Sequence, residues 1–186
     1  KSAALPCQAA ALPIPLTGDK TVYHILKLIA AATLGAAAAA LIQETRVRAR
    51  EMDTAYGVLN RAGVEARLRR LRGAVDVLFI DLDHMHDLNS ELGYAEVDRR
   101  IRQALELRRR DVLIGRWYSG DELVVIATAG DGAGLAERLS ARMAAVGLSA
   151  TIALVSASPR HAIETAMRHV QTAKADGIRG QVLRCS

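Results

Sequence analysis

Residues 75–98 read VDVLFIDLDHMHDLNSELGYAEVD. The first eight, Val75–Leu82, form an apolar run of strand length that closes on Asp81-Leu82-Asp83. Reading outward from this strand, the spacing predicts alternating elements. Residues 95–110 read as an amphipathic helix. Val112–Trp117 and Glu122–Thr128 are two β-type runs, and Tyr118-Ser119-Gly120-Asp121 between them is hairpin chemistry. A helix is predicted at 132–146, a strand at 149–156, a helix at 160–175 and a short strand at 181–184. On the N-terminal side, 51–72 reads as helix interrupted near Gly57. The order βααββαβ with an adjacent hairpin specifies an α/β domain with a mixed sheet over residues 51–186. No internal repeat is evident.

A different kind of chain precedes the domain. Residues 1–20 are rich in Ala and Pro and read as a flexible lead-in. Residues 21–50 read as one long Ala-rich helix, with Asp19 or Thr21 as candidate N-cap. Within it, Ile25–Ile42 is interrupted only by Lys27, so its length admits a membrane span at 25–42. Its alanines insert weakly, and a soluble packing or dimerisation helix fits the same residues. Arg46, Arg48 and Arg50 follow the run and would keep the C-terminal part in the cytoplasm. No clean small-residue cleavage site follows, which argues against a secretory signal.

Composition narrows the function classes. Half of the 186 residues are hydrophobic but only 3% are aromatic, so the core must be aliphatic. A net charge of +5 suits an anionic partner without identifying it. Arginines cluster at Arg67, Arg69, Arg70 and Arg72, and again at 99–110, on stretches that read as helical. Without interleaved stacking aromatics these are solvated helix faces, and no nucleic acid is expected as a partner. Cys7 and Cys185 lie at opposite ends without metal-ligand spacing, so a reducing cytosol is the default, with a disulfide between the termini as the alternative.

Two acidic sites carry the chemistry. Asp81 and Asp83 end the first strand, and Asp121-Glu122 sits at the hairpin. If the strands are neighbours, these carboxylates meet, and such a set suits Mg²⁺, which takes oxygen ligands while retaining phosphates and water. Two such ions would activate a hydroxyl and neutralise a leaving pyrophosphate. Taken singly, each site reads equally as an exposed acidic turn.

In combination they read as more. Residues 81–98, DLDHMHDLNSELGYAEVD, resemble the GGDEF family pattern DxDxFKxxNDxxGHxxGD in order and spacing, with Asp81, Asp83, Asn89, Gly93 and Asp98 on family positions. Residues 53–61 resemble the opening DxLTGLxNR. Residues 116–123, RWYSGDEL, resemble RxGGDEF, with Ser119 for a glycine and Leu123 for phenylalanine. Lys174–Arg179 resembles AKxxGR with one residue inserted before the arginine. The resemblance covers residues 53–184 and implies a nucleotide-cyclase palm fold.

It implies a diguanylate cyclase that condenses two GTP into cyclic di-GMP as a homodimer with Mg²⁺ or Mn²⁺. Asp81, Asp121 and Glu122 would hold metal, and Asp121 or Glu122 would act on the attacking hydroxyl. Asn89 and Asp98 would read the guanine edge, since a carboxylate accepts from both N1–H and the 2-amino group. The bland alternative makes Asp98 a helix N-terminal acid. Gly120, Lys174 and Arg179 would hold phosphates. Departures from the pattern are His86 for a lysine, Ser90 for an aspartate, Tyr94 for a histidine and Val97 for a glycine. They leave a second reading, a weak or inactive domain that receives guanine nucleotide or cyclic di-GMP. A His/Asp metal hydrolase built on His84 and His86 lacks supporting ligands, because His161 and His169 carry no motif. The family's inhibitory RxxD lies five residues before the signature. Here Arg108–Asp111 supplies an RxxD, but seven residues separate Asp111 from Ser119, which moves it about 7 Å along a strand. Weak product inhibition is expected.

Overall fold

A computed structural model describes residues 20–107, 111–118 and 120–185, with Thr21, Val22 and Arg48 in backbone only. By its contacts the chain divides into two units, and the division falls between Thr45 and Arg46, inside helix α1 (Lys20–Glu51). Thr21 lies within that helix and is not its cap. Asp19 lies outside the described residues, as do Cys7 and the lead-in up to residue 19. From Lys20 to Thr45 every described side chain is exposed.

The unit from Arg46 onward is built on a seven-stranded mixed sheet, in the order β1-β2-β4-β5-β3-β6-β7. Its strands are β1 (Met52–Asp53), β2 (Val58–Leu59), β3 (Val75–Leu82), β4 (Leu113–Arg116), β5 (Glu122–Thr128), β6 (Ala150–Ala157) and β7 (Val182–Cys185). The helices are α2 (Arg61–Leu68), α3 (Met85–Leu92), α4 (Tyr94–Leu105), α5 (Gly132–Ala145) and α6 (Pro159–Ala175). β3 runs antiparallel to both β5 and β6. It reads as a continuous apolar run because both of its faces are covered. Leu78, Ile80 and Leu82 pack with Ile101, Leu135, Leu139 and Met143 of α4 and α5. Val75, Val77 and Phe79 pack on the opposite face with Val64 of α2 and Ile163, Ala166 and Val170 of α6. Both core clusters are mainly aliphatic, as the composition demands.

Asp76 breaks the apolar run yet is buried, 3% exposed. It is satisfied by Ser156 Oγ and by the N–H groups of Gly130 and Gly132, both at 2.7 Å. The polar interruption in β3 therefore ties the start of α5 to the sheet. Gly132 has no room for a side chain: a Cβ there would lie 2.5 Å from Leu154 Cδ1 and 2.7 Å from Asp76 Cβ.

Two stretches differ from their sequence reading. Residues 51–72 are not an interrupted helix, since β1 and β2 pair antiparallel across a turn at 54–57. Asp53 Oδ1 accepts from Tyr56 N–H at 2.9 Å, and Gly57 takes φ +70°. This local side-chain turn outcompetes helix propensity. Helix resumes only at α2, where Asn60 caps Gly63 N–H at 3.0 Å. The second difference is α3, which the sequence reading left unassigned. His84 enters it at φ 56°, and Gly93 at φ 80° separates it from α4. α4 then ends at Leu105, short of residue 110.

Candidate functional site

The site forms where β3 ends. Asp81 lies opposite Glu122 of β5 on one side and Thr151 of β6 on the other. One residue later, Leu82 N–H donates to the Asp121 carbonyl at 3.2 Å. Main-chain ladder bonds thus hold both hairpin acids beside Asp81. Strand parity turns Asp81 toward the face covered by α6, and Lys174 in the last turn of α6 meets it there.

Lys174 Nζ bonds the Asp81 carboxylate, sits 3.1 Å from Asp83 Oδ1 and donates to the Leu82 carbonyl at 3.1 Å. Asp83, 1% exposed, accepts in addition from Ser149 Oγ at 2.8 Å, Thr151 Oγ1 at 3.1 Å and Gly180 N–H at 3.0 Å. Burial pushes the Asp83 carboxyl up, but the bonds from Ser149, Lys174 and Thr151 outweigh it and hold the group below the usual aspartate range. Asp83 is therefore a fixed anion that seats Lys174 and the loop carrying Gly180. Its place in the Asp81-Leu82-Asp83 motif was legible in the sequence; its donors, 66 to 97 residues away, were not.

The other two carboxylates behave oppositely. Burial raises the Asp81 pKa against the pull of Lys174, with Asp121 and Asp83 adding to the rise. Burial also raises Glu122, reinforced by the charges of Asp81 and Asp121. Glu122 Oε2 is buried and accepts no hydrogen bond among the described residues. A buried acceptor without a donor is costly and favours a cation at that place. Oxygen donors with this excess of negative charge fit a hard divalent ion, although among the described residues no three His, Cys, Asp or Glu side chains converge as a ready-made cage.

Asn89 on α3 and Asp98 on α4 are half-buried on the two helices flanking the Gly93 break, and no hydrogen bond engages either side chain among the described residues. Gly120 leaves open space where a Cβ would stand, and its carbonyl accepts from Arg116 Nε at 2.8 Å. Arg179 is exposed on the loop after α6, between Gly177 and Gly180. His86 is exposed on α3. Arg108 and Ser119 lie outside the described residues, whereas Asp111 borders a shallow groove with Leu71, Arg72 and Thr128.

One group was missed by the sequence reading. Arg116, at the end of β4, reaches Asp53 Oδ2 at 3.2 Å and stacks over Tyr56 with its guanidinium carbon 4.2 Å from the ring centroid. With its bond to Gly120, this residue links the 53–57 turn to the hairpin. Burial raises the Tyr56 pKa, Arg116 opposes the rise, and the charges of Asp98, Asp53 and Asp121 add to it. The signal was the presence of Asp53, Tyr56 and Arg116 in two motifs 63 residues apart.

No family model and no curated protein matches the chain. Solved structures do. The coiled coil and GGDEF domain of DgcB from Caulobacter crescentus, in complex with c-di-GMP, is 17% identical over 87% of this chain and 99% of its own, with a TM-score of 0.68. The diguanylate cyclase SiaD from Pseudomonas aeruginosa, in complex with its activator SiaC, is 19% identical over 89% of this chain and 75% of its own, with a TM-score of 0.64. The GGDEF domain of YfiN (TpbB) from Pseudomonas aeruginosa is 28% identical over 70% of this chain and 98% of its own, with a TM-score of 0.57. With its seven-stranded mixed sheet and these likenesses, the chain has the fold of the GGDEF domains.

Proposed function

We propose that the domain is a diguanylate cyclase working as a homodimer, each copy presenting one GTP. The 3′-oxygen of one GTP attacks the α-phosphorus of the other, the bond to the β-phosphate breaks, and pyrophosphate leaves. The reciprocal step closes cyclic di-GMP and releases the second pyrophosphate. The observation that carries this reading is the carboxylate edge of Asp81 and Glu122, whose pKa values are raised and whose orphan oxygen awaits a cation. Bound at Asp81, Asp121 and Glu122, Mg²⁺ or Mn²⁺ would supply neutralisation of phosphate charge and acidification of the hydroxyl. The hydroxyl proton passes to Asp121 or Glu122; a carboxyl raised toward neutrality is the better matched acceptor. Lys174, turning from Asp81 to the triphosphate, and Arg179 oppose the charge that leaves with pyrophosphate. Asn89 and Asp98 hold the guanine edge. The open backbone at Gly120 admits the α-phosphate.

A second reading, a receptor for guanine nucleotide or cyclic di-GMP, is favoured by one observation. Lys174 is already committed to Asp81 and Asp83, so the domain closes its acidic edge with its own cation. Incubation with GTP and Mg²⁺, following pyrophosphate and cyclic di-GMP together, separates the two. Stoichiometric appearance of both products supports the cyclase. Binding of cyclic di-GMP without either product supports the receptor.

A further inference from the structure

We propose that α1 crosses a lipid bilayer from Tyr23 to about Ile42 and leaves the domain on the cytoplasmic side. This placement does not depend on whether the domain turns over GTP. Three features of the helix carry it.

The first is the distribution of its large apolar residues. At about 100° per residue, Ile25, Leu26, Leu28, Ile29, Leu34, Leu41 and Ile42 fall near 0°, 100°, 300°, 40°, 180°, 160° and 260°. No sector wider than about 80° lacks one, whereas a paired soluble helix buries a single stripe and keeps its other face polar. All seven are at least half exposed, Leu34 at 72% and Leu28 at 70%. A helix apolar on every side requires an apolar surrounding on every side, and a bilayer supplies it. The 18 residues of 25–42 rise about 27 Å, close to the hydrocarbon thickness.

The second feature is the treatment of polar groups inside the run. Lys27 does not project sideways: its Nζ lies 4.5 Å from the centroid of the Tyr23 ring, one turn back toward the N-terminus. That is the direction of the nearer interface, where a lysine head and a tyrosine ring both belong. Thr33 Oγ1 donates to Ala30 O at 2.9 Å and so needs no water.

The third feature is charge. Within about 20 residues of the run, its C-terminal side carries Arg46, Arg48, Arg50 and Arg61, against Lys20, and the Lys27 head that turns toward it, on the other. This bias orients the domain toward the cytoplasm and its anionic headgroups.

The 186-residue chain, produced in bacteria with a C-terminal fluorescent protein that matures only in the cytoplasm, tests this. The expected result is a fluorescent, full-length product that stays with membranes through alkaline carbonate and leaves them in detergent. Leu34→Arg with Leu41→Arg should raise the carbonate-soluble share at least fivefold, and Leu34→Ile should leave it unchanged. Carbonate release of the parent would overturn the proposal in favour of a surface-bound or self-paired helix. Cleavage within 20–50, read from the mass, would overturn it in favour of a removed signal.

Discussion

Replacing Lys174 by methionine removes the cation that bonds Asp81 and Asp83. Methionine keeps the helix propensity and most of the stem, so the change is close to a deletion of charge. Asp83 has no exposed side-chain surface, and Lys174 is its only counter-charge among the described residues. Breaking a buried pair from one side costs about 3–5 kcal/mol. Three donors remain on Asp83, from Ser149, Thr151 and Gly180, and Asp81 can take up a proton, which lowers the expected loss to about 2–3 kcal/mol. At about 3–4 °C per kcal/mol for a domain of this size, Tm should fall by about 6–12 °C. Trp117, the single tryptophan and 8% exposed, reports domain unfolding by fluorescence whatever surrounds α1. Lys174→Arg should lose less than half as much. The deficit should also shrink in acid, because protonating Asp81 and Asp83 removes the charge that Lys174 balances. A variant melting within about 1 °C of the parent at pH 7, or a deficit that ignores pH, would refute the reasoning.

The pH dependence of the parent follows from the same three carboxyls. Asp81 and Glu122 have raised pKa values in the fold, so their contribution is fully present below their unfolded values and is lost as pH rises through the folded ones. Asp83 runs the other way: its contribution holds above 3.8, the ordinary aspartate value, and fades as pH falls through its lower folded value. Tm should therefore rise from pH 7 into mild acid, and Glu122→Gln should flatten that rise. Gly132→Ala should cost about 1–3 kcal/mol, since the Leu154 methyl can swing aside but the Asp76 Cβ, 2.7 Å away and fixed to the strand, cannot, and urea unfolding would show it. Asp98→Ser should reduce GTP over ATP preference at least tenfold in turnover while moving Tm little; a parent that uses ATP equally well would remove the base-reading role.

The sequence was most readable where local pattern and burial agree. The apolar run of β3, the hairpin of β4 and β5, and helices α5 and α6 all stand within a residue or two of their reading. Residues 53–59 misled because short-range turn bonds from Asp53 and the positive φ of Gly57 override a helical composition. α3 was missed although Met85, Leu88 and Leu92 stand at helical spacing and pack on the core. It is only eight residues long, none of them is fully buried, and it runs between His84 and Gly93 at positive φ, so its short apolar period is easily taken for a loop. At the site, the acidic residues declared themselves through spacing, whereas the contacts that set their charge did not. Lys174 meets Asp81 across 93 residues, and Arg116 meets Asp53 across 63. Such pairings depend on the packing of α6 and the sheet order, which no local window contains.

The central claim is that the edge formed by Asp81 and Glu122 performs phosphoryl chemistry on GTP. The most direct measurement is cyclic di-GMP formation by the parent, Asp81→Asn and Glu122→Gln under saturating GTP and Mg²⁺, with Trp117 fluorescence confirming each fold. The account predicts formation by the parent and a loss of at least about 100-fold in both variants, as expected when a group that meets the transition-state charge is neutralised. Variants that turn over GTP at the parent's rate would contradict it.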